Sequence, residues 1–334
     1  NCDWSSDVCS SDLAVLEPFR PTPGSPLHVS ASAPLLALLE RIAEETGDQR
    51  RAEYEAGAIA AYDELNDSRG AGLLRLNVGL SAANEGRWDD AMAHYNIAET
   101  CLERVGHSVG AALVANNKAE LLIDQGQFEL ARPLLERALR IFRASCYALG
   151  VAIVTSGASR IELRCGRLPL ANEMLTDALD QFTELGAQPY VLDTMARQVE
   201  CMIVGCEAER ALELLADLTS DPAEIPPLLA AFCARMEACA YAQLGLTERA
   251  LSEIRRAVVL AGGSSPFEKA AAVYTGRRIA EAGGFADPFP DVDVQALAVR
   301  LGVIAFPELP IRRLEEGPAL PSSMVVPRKP KQAR

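Results

Sequence analysis

The stretch "EGRWDDAMAHYNIA" (residues 85–98) decides the fold, because related versions of it return along the chain. The stretches "QGQFELARPLLERA" (125–138), "CGRLPLANEMLTDA" (165–178) and "LGLTERALSEIRRA" (244–257) share its glycine and alanine positions. A weaker copy, "GCEAERALELLADL" (205–218), has Cys206 at the glycine position. The shared alanines are Ala91, Ala131, Ala171, Ala211 and Ala250, at steps of 40, 40, 40 and 39 residues. Self-similarity at a fixed period of this length indicates a repeat protein.

Each copy also has the period of a helix. Apolar residues recur at i, i+4, i+7 and i+11, as in Ala131, Leu135, Ala138 and Phe142, and form one stripe. Alternating alanine with a larger residue lets a neighbouring helix approach closely. Another helical stretch precedes each shared glycine, which can adopt the left-handed conformation that ends a helix. The sequence therefore predicts an all-α fold, an α-solenoid of stacked antiparallel helix pairs.

The repeats resemble the tetratricopeptide repeat (TPR). The first copy has the family's residues at Asn77, Gly79, Gly86, Trp88, Ala91, Tyr95 and Ala98, and the second at Asn117, Ala119, Gly126, Phe128, Ala131, Leu135 and Ala138. The usual TPR period is about 34 residues. The longer period here is similar to that of repeats in large bacterial signal-transducing ATPases and transcription activators. The resemblance implies a TPR-like superhelix that binds a protein or peptide partner in its concave groove.

A narrower resemblance concerns the order of three stretches, at residues 76–99, 116–144 and 301–310 ("LGVIAFPELP"). It is similar to the C-terminal region of multidomain bacterial adenylate/guanylate cyclases, in which a cyclase domain and an AAA-type ATPase domain precede the repeats. This resemblance implies a regulatory sensor or scaffold that contacts the catalytic domains of the same parent chain. Two alternatives stay open. One is the effector-sensing domain of a transcription activator whose DNA-binding domain is missing, and the other is a stand-alone TPR scaffold.

The ends of the chain differ in composition from the repeats. Residues 3–13, back-translated, resemble the universal adapter of short-read sequencing, so residues 1–13 are interpreted as an adapter artefact. The natural sequence is then expected to start near Ala14, with an N-terminal part of the protein missing. Residues 14–33 are a predicted Pro-rich linker, and 34–70 are predicted divergent or capping helices. The repeats are expected over 71–262. Capping helices are expected over 263–310, one of them starting near Val292, and a disordered basic tail over 311–334.

The sequence contains no recognisable catalytic motif. It has no P-loop, no H-E-x-x-H and no G-x-S-x-G, so we expect no enzyme activity, cofactor or metal in this fragment. The acidic pairs Asp89/Asp90 and Asp291/Asp293 are interpreted as helix-start residues. A net charge of −14 opposes nucleic-acid binding, and no apolar run is long enough to predict a membrane span.

Seven cysteines lie beyond residue 13. They are Cys101, Cys146, Cys165, Cys201, Cys206, Cys233 and Cys239. Their odd number and the absence of C-x-x-C predict small buried thiols in a cytoplasmic protein.

One polar position recurs on the first helix of the repeats. Asn77 and Asn117 occupy it in successive copies, and Arg197 follows 80 residues after Asn117. In the TPR family this position can face the concave groove, so the resemblance implies that the three residues bind peptide backbone or a carboxylate. Two readings stay open, since each amide could instead cap local backbone or face water. Gly157 occupies the position in the third copy and supporting lysines are not evident, which argues against a full carboxylate clamp.

Overall fold

The structure is a computed structural model that describes residues 26–46, 48–220, 225–262 and 265–311. The predicted adapter and nearly all of the predicted basic tail lie outside these residues. The described part contains fourteen α-helices and no strand. The helices are α1 (Pro26–Thr46), α2 (Arg51–Glu64), α3 (Ser68–Asn84), α4 (Trp88–Arg104), α5 (Ser108–Asp124), α6 (Phe128–Ala144), α7 (Ala148–Arg164), α8 (Leu168–Glu184), α9 (Gln188–Val204), α10 (Ala208–Leu218), α11 (Pro227–Gln243), α12 (Thr247–Ala261), α13 (Pro266–Gly283) and α14 (Val294–Leu301).

The helices pair in chain order, and we call the odd-numbered member of each pair a first helix and the even-numbered member a second helix. The chain divides into two compact units, unit 1 (Asn1–Ala83 and Trp88–Asn117) and unit 2 (Asn84–Arg87 and Lys118–Arg334). In unit 1, α1 packs against α2, and α3 against α4. In unit 2, consecutive helices from α6 to α14 pack against one another, and first helices of successive pairs from α7 to α13 also meet. The predicted fold class, an all-α solenoid of stacked helix pairs, is confirmed.

One residue in the left-handed conformation closes each helix from α2 to α9, with φ between 51° and 81°. These residues are Asn66, Gly86, Gly106, Gly126, Cys146, Gly166, Gly186 and Cys206, each 20 residues after the last. The turn after α5 shows the shared geometry: the Gln127 amide donates to the Leu122 carbonyl at 2.7 Å and the Gly126 amide to Ile123 at 3.0 Å. This is the Schellman motif, which satisfies the last carbonyls of a helix. The 40-residue sequence period is therefore two 20-residue steps.

The apolar stripes of the second helices are buried as the sequence predicts. On α6, Ala131, Leu135, Ala138 and Phe142 are each at most 3% exposed, and the matching residues of α4, α8 and α12 are equally buried. Two helices approach each other closely where Gly79 faces an aromatic ring. A Cβ on Gly79 of α3 would lie 2.6 Å from the Tyr95 ring of α4. The small residue is therefore what lets these two helices come together.

The structure corrects the predicted linker and bears on the interpretation of the acidic pairs. The linker prediction is wrong over residues 26–33, because α1 already begins at Pro26. Proline suits the first position of a helix, since its fixed φ is helical and its missing N–H is not needed there. The interpretation as helix-start residues is confirmed for Asp89 and Asp90, which lie in the first turn of α4, and for Asp293. The Asp293 carboxylate caps α14 by accepting the Ala296 amide at 2.9 Å.

The cysteines do not all follow the prediction of buried thiols. Cys201, Cys233 and Cys239 are buried, and burial raises the pKa of each thiol to about 12. Cys101 is half-buried, whereas the prediction is wrong for the three exposed cysteines, Cys146, Cys165 and Cys206. All three lie in turns between helices, where the helical pattern of buried positions no longer applies.

Substitution of Gly79 by alanine tests the close contact between α3 and α4. The added Cβ would displace the Tyr95 ring, so we expect Gly79→Ala to lower the free energy of unfolding by about 1–3 kcal/mol despite the better helix propensity of alanine. Tyr95→Leu alone should also destabilise, since it empties part of a buried site. The second repeat has the combination Ala119 and Leu135, so the double variant should lose less than the two single losses together. Urea unfolding measures all four proteins, and strictly additive losses would contradict the contact.

The left-handed turns offer a second test at the exposed cysteines. Cys206 has φ 59°, a conformation that glycine adopts without strain, so Cys206→Gly should stabilise the protein by about 1 kcal/mol. The matched control is Cys165→Gly, because Cys165 is also exposed in a turn but has φ −82°. The control should lose stability through the greater freedom of glycine in the unfolded chain. Thermal unfolding midpoints that move in the same direction for both variants would refute the explanation.

Candidate functional site

Two of the residues predicted to bind peptide lie in unit 1. Asn77 is exposed on α3, and Asn117 is half-buried on α5. The Asn117 side chain hydrogen bonds the hydroxyl group of Tyr95, whose pKa is raised mainly by burial. An asparagine amide can make several hydrogen bonds, so this contact orients Asn117 and leaves it further bonding capacity.

The third predicted residue, Arg197, lies on α9 in unit 2. Its Nε donates to the Asp193 carboxylate one turn earlier at 2.6 Å. Arg197 thus belongs to a different unit from the two asparagines. At the equivalent position of α7, a Cβ on Gly157 would lie 2.4 Å from the Glu120 carboxylate. The glycine of the third repeat thus leaves room for a side chain of the preceding first helix.

Glu120 belongs to a series of charges that the sequence analysis missed. Glu120, Arg160 and Glu200 lie 40 residues apart, on α5, α7 and α9. The Arg160 guanidinium donates to Glu120 at 2.7 Å and also to Asp124. One helical turn after Arg160, Arg164 donates to Glu200 at 2.7 Å. We call these five residues the charge ladder. Its signal in the sequence is the same 40-residue step that reveals the repeats.

Glu200 is the most buried member of the charge ladder, with its side chain only 3% exposed. Burial alone would raise the pKa of its carboxyl group. The positive charges of Arg164, Arg235 and Arg160 outweigh burial, so the pKa is lowered. Arginines from α7 and α11 therefore hold a carboxylate charged between the first helices.

A separate buried ion pair joins α11 to α13. The Arg235 guanidinium donates to both carboxylate oxygens of Glu268, at 2.5 and 3.1 Å, and lies 5.1 Å from the centre of the Phe232 ring. Here burial outweighs the attraction of Arg235, so the pKa of Glu268 is raised. The two buried glutamates differ because Glu200 has three arginines near it and Glu268 has one.

An extended stretch of the chain crosses the first helices of unit 2. We call residues 303–311 the strap. Its backbone begins beside the turn after α5, where the Ile304 amide donates to the Gln125 carbonyl at 2.9 Å. Farther along, the Arg278 guanidinium donates to the Leu309 carbonyl at 2.9 Å and the Gln243 amide to the Pro310 carbonyl at 3.1 Å.

Two side chains of the strap enter apolar surroundings. Leu309 is fully buried in the core formed by α9, α10 and α11, which includes Val199 and Met236. Phe306 stacks on Tyr274 and Phe267 of α13, with ring centres 5.2 and 6.2 Å apart. The surface under the strap is therefore a groove that bonds main-chain carbonyls and takes apolar side chains.

We call this surface the first-helix groove. Beside the strap it opens into a cavity of about 260 Å³. The residues that line the cavity include Asp124, Arg160, Arg164 and Val204 of the first helices, and Phe306 and Glu308 of the strap. The described residues include no cluster of three or more His, Cys, Asp or Glu side chains that could hold a metal ion. What the groove offers chemically is recognition of an extended chain.

The repeats match a known family model. The model described as tetratricopeptide repeat matches residues 71–144 and again 110–184, in two overlapping copies. Residues 71–184 are therefore similar to tetratricopeptide repeats, which supports a TPR domain in this part of the chain. They comprise α4 to α8 and nearly all of α3, so the TPR part includes Asn77 and Asn117 but ends before Arg197. The match to these repeats supports a protein–protein interaction module. None of the helices in the described ranges has the length and apolar character to cross a membrane. No curated protein shows significant similarity to the chain.

The charge ladder makes stability depend on pH through Glu200. Because its pKa is lower in the folded protein than the ordinary value of 4.5, its ion pair stabilises the fold above that value and is lost as pH falls through the folded-state pKa. Glu200→Gln should therefore lower the free energy of unfolding by about 2 kcal/mol at pH 7. The difference from the unmodified protein should shrink as the pH falls below 4.5 through the folded-state pKa.

Urea unfolding at pH 7 and pH 3 measures this dependence. Glu173→Gln is the matched control, since Glu173 is exposed on α8 and should show little effect at either pH. A loss for Glu200→Gln that is equally large at both pH values would show that shape, and not charge, is what Glu200 contributes.

Proposed function

We propose that this chain is a non-enzymatic regulatory module of a larger bacterial signalling protein, an adenylate/guanylate cyclase with an ATPase domain. The observation that carries the proposal is the first-helix groove, where side chains of α11 and α13 bond the carbonyls of an extended backbone. Stacked helix pairs with such a surface bind peptides or protein segments without changing them chemically.

The charge ladder supports a role in binding because it keeps the groove in one arrangement. Its ion pairs link α5 to α7 and α7 to α9, so neighbouring first helices are held at a fixed spacing. A preorganised groove loses less entropy on binding than one that must first be ordered. The rigid helices thus fix the side chains that meet a partner.

Asn77, Asn117 and Arg197 are the proposed partner-binding residues outside the strap's contacts. Asn77 is exposed, and Asn117 is positioned by its hydrogen bond to Tyr95. The side chain of Arg197 is 20% exposed and pairs with an acidic residue whose carboxylate a partner could replace. A bidentate bond from arginine to a partner carboxylate would be stronger than its present single contact.

The proposed parent protein rests on the resemblance of three stretches, ending in "LGVIAFPELP", to the region after the catalytic domains of cyclases. In such a protein the groove would bind a partner or the parent's own catalytic domains and so favour an active or inactive state. Recovering the contiguous gene tests this. Coding sequence upstream of Ala14 should specify a cyclase core with metal-binding aspartates. A basic helix-turn-helix domain there would instead support a transcription activator.

The partner-binding residues can be tested with a protein captured by the chain and then purified. We expect Asn117→Ala and Arg197→Ala each to weaken binding by about tenfold, since each removes one hydrogen-bonding side chain worth about 1.4 kcal/mol. Asn96→Ala and Arg140→Ala are the matched controls, because both residues are exposed on second helices. Isothermal titration calorimetry gives the dissociation constants. Equal affinities for all four variants, with helicity intact, would remove these residues from the proposed site.

A further inference from the structure

The strap is held like a bound peptide more than like a part of the core. It contains no helix or strand, and Gly302 separates it from α14 with φ 67°. Its backbone hydrogen bonds come from the end of α5 and from α11 and α13, which are all first helices or their turns. A chain that contacts one face of several repeats in an extended conformation is the general mode of peptide recognition by solenoids.

Most bonds to the strap do not depend on its side chains. The Gln125 side chain donates to the Leu301 carbonyl at 2.9 Å, just before the strap. Gln243 and Arg278 donate to the carbonyls of two successive residues near its other end. Any extended chain following the same path could accept these bonds. Gln243 and Arg278 can therefore bind the carbonyl groups of an extended chain of any sequence.

Selectivity comes from two apolar sites and from proline. Leu309 is completely buried, and Phe306 lies against two aromatic rings of α13. Pro307 and Pro310 each follow one of these anchors. Proline lacks an N–H that would need a partner in the groove and restricts the free chain to extended conformations. An aromatic residue, a proline, and a leucine–proline pair two residues later therefore form the pattern that the groove selects.

The strap leaves part of the groove open. Ile304 is 71% exposed, Ala305 and Glu308 are also exposed, and the cavity of about 260 Å³ lies between the strap and the charge ladder. Of the two anchors, Leu309 is buried and Phe306 is half-buried, and no other residue of the strap is buried. Segments with few buried contacts open locally without unfolding the rest of the protein.

From these contacts we propose that the strap is a built-in ligand that closes the first-helix groove, and that a protein partner opens it by inserting its own extended segment with the pattern aromatic–Pro–x–Leu–Pro. The proposal rests on the proposed function as an interaction module and names the segment that the module recognises. The partner's aromatic residue takes the place of Phe306, and its leucine takes the place of Leu309. Gln243 and Arg278 bond its carbonyls.

The test uses the full chain and a fluorescent peptide of residues 302–311, "GVIAFPELPI", as the probe. The unmodified chain should bind the peptide weakly because its own strap competes. Leu309→Ser, which loosens the strap, should bind the peptide at least tenfold more tightly. The control peptide carries serine in place of the phenylalanine and the leucine and should bind neither protein. Fluorescence anisotropy measures the affinities, and circular dichroism verifies that the helices are intact.

A second variant avoids any change to the core. Pro307→Gly with Pro310→Gly makes the strap more flexible and keeps both anchors, so it should also tighten peptide binding, by a smaller factor. Adding Arg278→Ala to this variant should weaken peptide binding again, because one of the carbonyl bonds is lost. Equal peptide affinity for the unmodified chain and both loosened variants would overturn the proposal.

Hydrogen exchange on the unmodified chain gives a readout that needs no substitution. Saturating peptide should speed exchange in the fragment containing Ile304, whose amide is bonded to Gln125. Exchange in α11 should stay unchanged. No change at saturation would show that the strap is a permanent part of the fold, and this would overturn the proposal without affecting binding of a captured partner through Asn117 or Arg197. A concentration-dependent dimer that exchanges straps, seen by light scattering, would identify a second copy as the occupant and also overturn it.

Discussion

The left-handed residue at the end of each helix is the constraint on which the other features depend. It lets the chain reverse in three residues. The helices that these turns join, α3 to α9, are all 17 residues long. Equal helices joined by equal turns place residues 40 apart at the same level of successive first helices. A turn of another length would shift the level of every residue that follows. The regular turns therefore align the residues that form the charge ladder and the first-helix groove.

The charge ladder uses this regularity to distinguish one neighbour from another. Acidic α5 and acidic α9 are both attracted to basic α7 between them, and exchanging α7 with either neighbour would place the two acidic helices together. Small and large apolar residues recur in every repeat and cannot make this distinction. The ion pairs are partly or wholly buried, so their desolvation offsets much of their attraction. Their clearest contribution is to specify the order of the helices, with a smaller share in net stability.

Much of the fold could be predicted from the sequence because glycine and alanine repeat at fixed positions. The turns closed by Cys146 and Cys206 were harder to predict, because cysteine has no preference for the left-handed conformation. The same turns explain why the prediction of buried cysteines was wrong for exposed positions. The charge ladder was visible only as a spacing of opposite charges, which a search for like residues overlooks. Asn77, Asn117 and Arg197 were found by equivalence to a known family, and their role stays a prediction.

The strap could not be predicted from periodicity, because it has none and its contacts are distant in sequence. The Ile304 amide donates to the carbonyl of Gln125, which lies far earlier in the sequence.

This long-range contact changes the energetics expected of a solenoid. In a simple array each repeat contacts only its neighbours, and stability is close to a sum of local terms. The strap meets the end of α5 and also α11 and α13, so it joins repeats that are not neighbours. Its contacts form together or are lost together, because the segment between them is short and restricted by proline. Occupation of the groove is thereby linked to the stability of several repeats at once, and any segment that replaces the strap must span the same repeats to preserve that link.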